Sequence, residues 1–404
     1  MRMLRFGYAT APILGALWAL TMAVSVSVVM SFSTGEPFRP VLWASLIWGA
    51  GAGFFAIGSA GWRWAAGILA VLVLVGTVAG IGPVAIGADV SALPIVVAGA
   101  GMGVALVWPL WRMLTGLPAG ALDRHEFERA VIRFLTGFGY VFFTTIVLIP
   151  FYVMVMTSLK SQQALLANPL DFSIELSKGW ALLRSYTELF GQFNFGRYLV
   201  VSFFVSVATV LITLLFSVPG AYAVARLRFR GRAVMARSIL LIYMVPMIVL
   251  ALPIYIGFSM AGLRNSLFGI LLIYPVTTIP VSLYMLQGYF RGLPGEVEEA
   301  GLMDGLSRLA VIWKITLPLS LPALASVSLY VFMIAWNEFL LAFMLLDDPS
   351  KFTLTRGVAM LNSSEIPRQH LMAGAVIATV PIMALFLGLE RFMTKGLTAG
   401  SVKG

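Results

Sequence analysis

EVEEAGLMDGLSRLAVIWKITLPLSLP, residues 296–322, is a charged, glycine-punctuated amphipathic island between two long apolar runs. Pro294 suits the first turn of a helix, and Glu296, Glu298 and Glu299 fall at its positive N-terminal end, where carboxylates are favoured. Ala300 and Gly301 keep one face small, so that another surface can approach closely. Gly305 supplies the left-handed residue that ends a helix. Ser307 caps a second one, running through Leu309, Ile312 and Trp313 to Ile315. Pro318 and Pro322 are expected to stop it before the next apolar run. The spacing therefore predicts two short helices at an angle, carried on a membrane surface.

The membrane follows from composition. Of 404 residues, 60% are hydrophobic and 11% charged, and the mean hydropathy is +0.95, well beyond a soluble globular chain. A spanning helix needs about 20 apolar residues. The qualifying runs are 8–30, 41–60, 64–87, 90–113, 135–157, 198–224, 238–258, 267–290, 321–346 and 371–389. The expected fold is all-α and polytopic, with about ten transmembrane helices. Gly82, Pro83 and Asp89 are the only punctuation between the third run and the fourth. Run 8–30 exceeds a signal-peptide core and no Ala-x-Ala cleavage site follows it, so it reads as a retained span. Residues 115–133 are polar and read as a cytoplasmic linker. They separate an accessory four-helix region, 1–114, from a six-helix unit, 134–404. Gly49 with Gly53 and Gly99 with Gly103 give the spacing that lets helices pack closely inside a bilayer.

The net charge is +10, and its carriers lie in the loops. With the N-terminus cytoplasmic, most of the Lys and Arg residues fall inside, which supports an even span count and both termini cytoplasmic. The cluster Arg226, Arg228, Arg230, Arg232 and Arg237 then sets topology. It is not a nucleic-acid patch, since only Phe229 interleaves it. With no Cys, and with His125 and His370 far apart, no metal cluster is written here. No Gly-x4-Gly-Lys-Ser/Thr phosphate loop is present, so any ATP hydrolysis belongs to another chain, and this one is expected to be neither an enzyme nor a cofactor carrier. Glu338 is the one carboxylate well inside a core span, about 12 Å from its outer end at helical rise. At that depth it must be paired or wetted. With Trp336 and Asn337 it could line a solute pathway, or it could hydrogen-bond across helices near an outer gate.

The pattern Glu299-Ala300-Gly301, three residues, Gly305, nine residues, Ile315, one residue, Leu317-Pro318 resembles the EAA loop of ABC importer permeases, with Gly301 in place of the second Ala. Asp304 matches the form common in sugar permeases. The likeness continues in Thr157-Ser158-Leu159-Lys160, in Ala221 to Arg226 with Phe229, Arg230 and Gly231, in Trp336-Asn337-Glu338-Phe339 and in the tail 396–404. From about residue 135 onward the chain resembles a maltose-type carbohydrate permease. The resemblance implies that 291–320 is the coupling loop, fitting a groove on a cytoplasmic ATPase. It implies a second homologous permease, two ATPase subunits that use the ATP, an external solute-binding protein, a bacterial inner membrane and a sugar as cargo. It also places 398–404 near the ATPase dimer interface. The alternative is a secondary, ion-coupled transporter, which would need coupling groups within its spans; Glu338 alone is thin support.

Overall fold

Within a bilayer each backbone N–H and C=O must find its partner inside the segment, so uninterrupted apolar runs fold as helices. The computed structural model describes residues 5–57, 62–87, 90–168, 173, 176–363 and 365–398. It divides into two compact units, Met1–Leu182 and Leu183–Gly404.

The first unit holds α1 (Gly7–Thr34), α2 (Leu42–Ala56), α3 (Trp62–Val78), α4 (Ala92–Leu114), α5 (Arg124–Ser158) and α6 (Gln162–Ala167). Glycine sets its packing. A Cβ on Gly15 would strike the Gly49 carbonyl, one on Gly49 would strike the Gly15 carbonyl, and one on Gly53 would strike that of Ala11, so α1 and α2 touch backbone to backbone. Trp18, Met102, Leu106 and Leu110 fill the core, and the Trp18 indole donates to the Ala105 carbonyl at 3.0 Å. α5 opens on Asp123, whose backbone N–H donates to the Glu126 carboxylate at 2.9 Å.

The second unit holds α7 (Arg184–Gln192), α8 (Phe195–Arg226), α9 (Arg232–Tyr243), α10 (Met247–Met260), α11 (Leu267–Gly292), α12 (Gly295–Met303), α13 (Arg308–Val311), a π turn (Ile312–Thr316), α14 (Leu317–Leu319), α15 (Leu321–Asn337), α16 (Leu340–Leu345), α17 (Leu354–Met360) and α18 (Arg368–Thr398). Ser202, Ser206, Thr209, Thr213 and Ser217 are buried along α8. Thr213 meets Thr278 of α11, hydroxyl to hydroxyl, at 2.7 Å. Such small side chains let helices approach in a membrane.

Several expected spans take another form. Among the described residues six helices are long and apolar enough to cross, Gly7–Thr34, Ala92–Leu114, Arg124–Ser158, Phe195–Arg226, Leu267–Gly292 and Arg368–Leu389, and the bent pair Arg308–Leu319 with Leu321–Asn337 makes a seventh if it is one span. Among the described residues of the run 41–60 the helix is Leu42–Ala56. The run 64–87 leaves its helix at Val78; Gly80 turns the chain at φ 77°. Val84–Ile86 (β2) then pairs antiparallel with Phe38–Pro40 (β1), because Gly82 and Pro83 deny the helix its continuation. The run 238–258 divides at Pro246, which stands at the N-cap of α10. The run 321–346 breaks after Asn337. The stretch expected as a linker, 115–133, lies within the first of the two compact units. That stretch is tied back to the start of α1 by Gly7 N–H to Gly120 O at 2.8 Å and Leu122 N–H to Arg5 O at 2.7 Å. Asp89 and the tail 399–404 lie outside the described residues.

Candidate functional site

The island 296–322 folds as two short helices joined by a tight turn. After α11 the chain turns at Leu293 and Pro294, both extended, and α12 begins. Its end is a glycine cap: Gly305 has φ 84°, its N–H donates to Leu302 O at 3.1 Å, and the Leu306 N–H reaches back to Gly301 O at 3.1 Å. That pair of bonds satisfies carbonyls the helix would otherwise leave open. Ser307 caps the second helix, its hydroxyl accepting from the Ala310 N–H at 3.2 Å. This helix does not stop at Pro318. It widens into the π turn, where the Leu317 N–H donates to Ile312 O, and the wider turn makes room for a proline ring that would clash in a tighter one. The break comes at Ser320. There Arg308–Leu319 and Leu321–Asn337 meet at 80°, and Pro322 starts α15 in the first turn, where its missing N–H costs nothing.

The small face of α12 looks inward. A Cβ on Gly301 would lie 2.5 Å from Ile315 Cδ1 and 3.5 Å from both Leu306 Cδ1 and Val311 Cγ2. The surface that approaches Gly301 is therefore the loop's own second helix, which accounts for Gly where the resembling motif has Ala. Ala300 points the other way and is exposed beside Glu299.

Beneath the loop lies a group that spacing alone did not single out. Glu298 is buried, with its side chain 10% exposed, and Arg226 Nε stands 3.4 Å from its Oε1. Tyr222 donates its hydroxyl to Oε2 at 3.2 Å, and the Thr316 hydroxyl donates to Oε1 at 3.1 Å. Arg226 Nη2 also donates to Leu293 O at 2.6 Å. One carboxylate thus joins the end of α8, the start of the loop and its second helix. The available sequence signal was Tyr222 and Arg226, one turn apart on one face at the end of a span.

What remains outside is a projecting face. Glu299, Ala300, Asp304, Gly305 and Pro318 are exposed, together with Met303 at 88%, Leu309 at 68% and Trp313 at 68%. Ile315 and Leu317 are half-buried beneath it.

Trp336, Asn337 and Glu338 each have hydrogen-bond partners of their own. Trp336 is buried, stacked on Phe332 with centroids 5.4 Å apart, and its indole donates to Ala378 O at 3.0 Å. Asn337 is exposed and donates to Met333 O, one turn back, at 2.9 Å. Glu338 sits in the break with φ −65° and ψ 122°, so a distance counted at helical rise does not apply to it. Its carboxylate accepts from Leu341 N–H at 2.8 Å and Ala342 N–H at 3.1 Å, filling the N-terminal donors of α16. Its carbonyl accepts from Thr355 Oγ1 at 2.6 Å. Among the described residues no cluster of His, Asp or Glu could hold a metal ion.

At the other end of this unit, polar contacts tie loops together. Asn265 Oδ1 accepts from the N–H groups of Asp347 at 3.3 Å and Asp348 at 3.1 Å. The Ser350 N–H holds the Asp348 carboxyl below the usual range. Glu188 is bound by Arg184 at 2.6 Å and by His370 Nε2 at 2.7 Å. These partners, Arg184 first, hold its carboxyl below the ordinary value.

An exposed apolar face on a helix pair rooted in a buried ion pair marks a surface for a partner or for the membrane. The class the fold defines is a polytopic α-helical membrane protein that carries such a face on a loop between two of its helices. Residues 217–398 match the family described as binding-protein-dependent transport system inner membrane component. The chain is 36% identical over 270 residues to the inner membrane ABC transporter permease protein YcjP of Escherichia coli K12, covering 66% of this chain and 95% of that protein. To the trehalose/maltose transport system permease protein MalG of Thermococcus litoralis it is 33% identical over 281 residues, 69% of this chain and 99% of that one. The crystal structure of a bacterial ABC transporter involved in import of the acidic polysaccharide alginate shares the fold, with a TM-score of 0.55 over 67% of this chain and 98% of that chain, at 24% identity. The chain belongs to the family of inner-membrane permease subunits of binding-protein-dependent ABC importers, and it is a multi-pass component of that membrane. The relatives give no support to a secondary transporter.

Proposed function

We propose that the chain carries a sugar or oligosaccharide across a bacterial inner membrane with a second homologous permease, two cytoplasmic ATPase subunits and an external solute-binding protein. The trehalose/maltose permease among its relatives supports the solute class. In this reading both termini are cytoplasmic, the chain has no cofactor or enzymatic activity of its own, and ATP is used by the ATPase subunits. Residues 134–404 form the translocating core, and 1–114 an accessory bundle. The observation that carries the reading is the uncovered face of Glu299, Ala300, Met303, Asp304, Leu309 and Trp313. Gly301, Gly305, Ile315, Leu317 and Pro318 hold that face in shape, and Glu298 passes its displacement to α8 through Tyr222 and Arg226. Movement of packed helices against one another then opens the path alternately to either side.

Because the chain has no Cys, Met303→Cys gives a single label site. In inverted membrane vesicles an impermeant thiol reagent should modify it in the permease alone and be blocked once the ATPase is bound. Equal labelling with and without ATPase, in a complex that still transports, overturns the docking assignment.

A further inference from the structure

α3 and α4 are closest where a Cβ on Gly99 would press on Leu74 and one on Gly103 on the Ala70 backbone. Further along, the facing side chains are mismatched. Among the described side chains, α4 presents Val107, Trp108 and Trp111 and α3 presents Ala66 and Gly67, and a Cβ on Gly67 would meet nothing within 4 Å. The result is an open groove of about 660 Å³, within the range of about 300–1,000 Å³ typical of ligand sites.

One end of the groove is polar. Arg112 lines it, its guanidinium 5.6 Å from the centre of the Trp108 ring. Among the described residues Arg112 has no carboxylate partner. The carbonyls at the end of α4 are already met by Arg133, which donates to Thr115 O at 2.8 Å, so the charge on Arg112 is left for a ligand. An apolar trough lined by Trp111 that ends in a cation over the Trp108 ring matches a molecule with an apolar tail and an anionic head. Tryptophans sit at headgroup level in a bilayer, and basic pockets between helices hold anionic headgroups. A protein helix, about 10 Å across with its side chains, needs a wider trough than helices in backbone contact nearby leave open.

We propose that this groove binds an anionic phospholipid, with one acyl chain along Ala66, Gly67 and Ala70 and the phosphate on Arg112. The test uses the chain purified with its accompanying subunits, stripped of lipid, then offered phosphatidylglycerol or phosphatidylcholine of equal chain length. Retention is read by native mass spectrometry. The wild type should retain phosphatidylglycerol about fivefold better, the worth of one basic contact at a membrane surface. Arg112→Gln should erase that preference. Gly67→Leu fills the trough without a clash at Cβ and should lower retention of both lipids. Equal retention of the two lipids by the wild type overturns the site, as does an unchanged preference in Arg112→Gln or unchanged retention in Gly67→Leu. The readout is independent of transport, so it stands or falls apart from the docking assignment.

Discussion

Two acidic residues of the second unit, Glu298 and Glu338, exchange the roles their sequence contexts imply. Glu338 stands in an apolar run and reads as a pathway residue or as a hydrogen-bonding group across helices, whereas Glu298 is one of three acids at a helix start and reads as a dipole partner. In the structure Glu338 serves its own neighbourhood, capping a six-residue helix through N–H groups three and four residues on. Glu298 binds Tyr222 and Arg226, more than seventy residues before it in the chain. A carboxylate in an apolar run can be consumed by a backbone break. One in a charged loop can be the pin of the assembly.

The comparison breaks most readily at Glu298. Glu298→Ala strands the Arg226 guanidinium in a buried setting, and removing one member of a buried pair costs about 3–5 kcal/mol. ATP-driven uptake should be lost and thermal stability should fall. Adding Arg226→Met should recover part of the stability but not the coupling. Glu296→Ala, on the exposed side of the same helix, should leave both nearly unchanged. If Glu298→Ala matches Glu296→Ala in melting temperature and uptake, the pin does not exist.

The next largest effect falls on the loop's internal contact. Gly301→Val would push against Ile315 Cδ1, and overpacking of this kind costs about 1–3 kcal/mol. Ile315→Ala in the same chain should relieve it. A smaller loss for Gly301→Val than for Ala300→Val, measured by ATPase binding, would mean that Gly301 faces the ATPase after all.

Glu338 sharpens the contrast from the other side. Glu338→Ala removes the cap of α16, worth about 0.5–2 kcal/mol, and Glu338→Asp should retain part of it. Melting temperature should fall while the KM for solute stays put. A changed KM or solute preference at unchanged stability would restore Glu338 to the pathway.

What was legible in the sequence follows the range of the signal. Gly305 and Ser307 act on N–H and C=O groups within a few residues, so their types and spacing announced the caps. Gly301 announced a close approach but not by what, because Ile315 is brought up only after the turn at Gly305 is made. Glu298 was opaque for the same reason at greater distance. The break at Glu338 carries no Gly or Pro; an apolar run reads as one span unless a side chain is known to accept the N–H groups a second helix start exposes. The strand Val84–Ile86 did have its punctuation, in Gly82 and Pro83, and the hydropathy of the run outweighed it.

A third acid sets the lower limit of the comparison. Glu188 is neither a helix cap nor fully buried: it binds the exposed Arg184 on one side and the buried ring of His370 on the other. Its carboxyl is held below the ordinary value of 4.5, by the Arg184 hydrogen bond first and the His370 hydrogen bond second. A folded-state value below the unfolded one gives stability that is present above pH 4.5 and drains away as pH falls through the depressed value. Because Arg184 is open to solvent, salt screens its share, and the effect should stay below about 1 kcal/mol. Glu188→Gln should therefore lower the melting temperature slightly at neutral pH, and its curve should converge with that of the wild type at acid pH. Two curves that remain parallel from neutral to acid pH would show that Glu188 holds α7 to α18 by shape and hydrogen bonding alone, with no contribution from its charge.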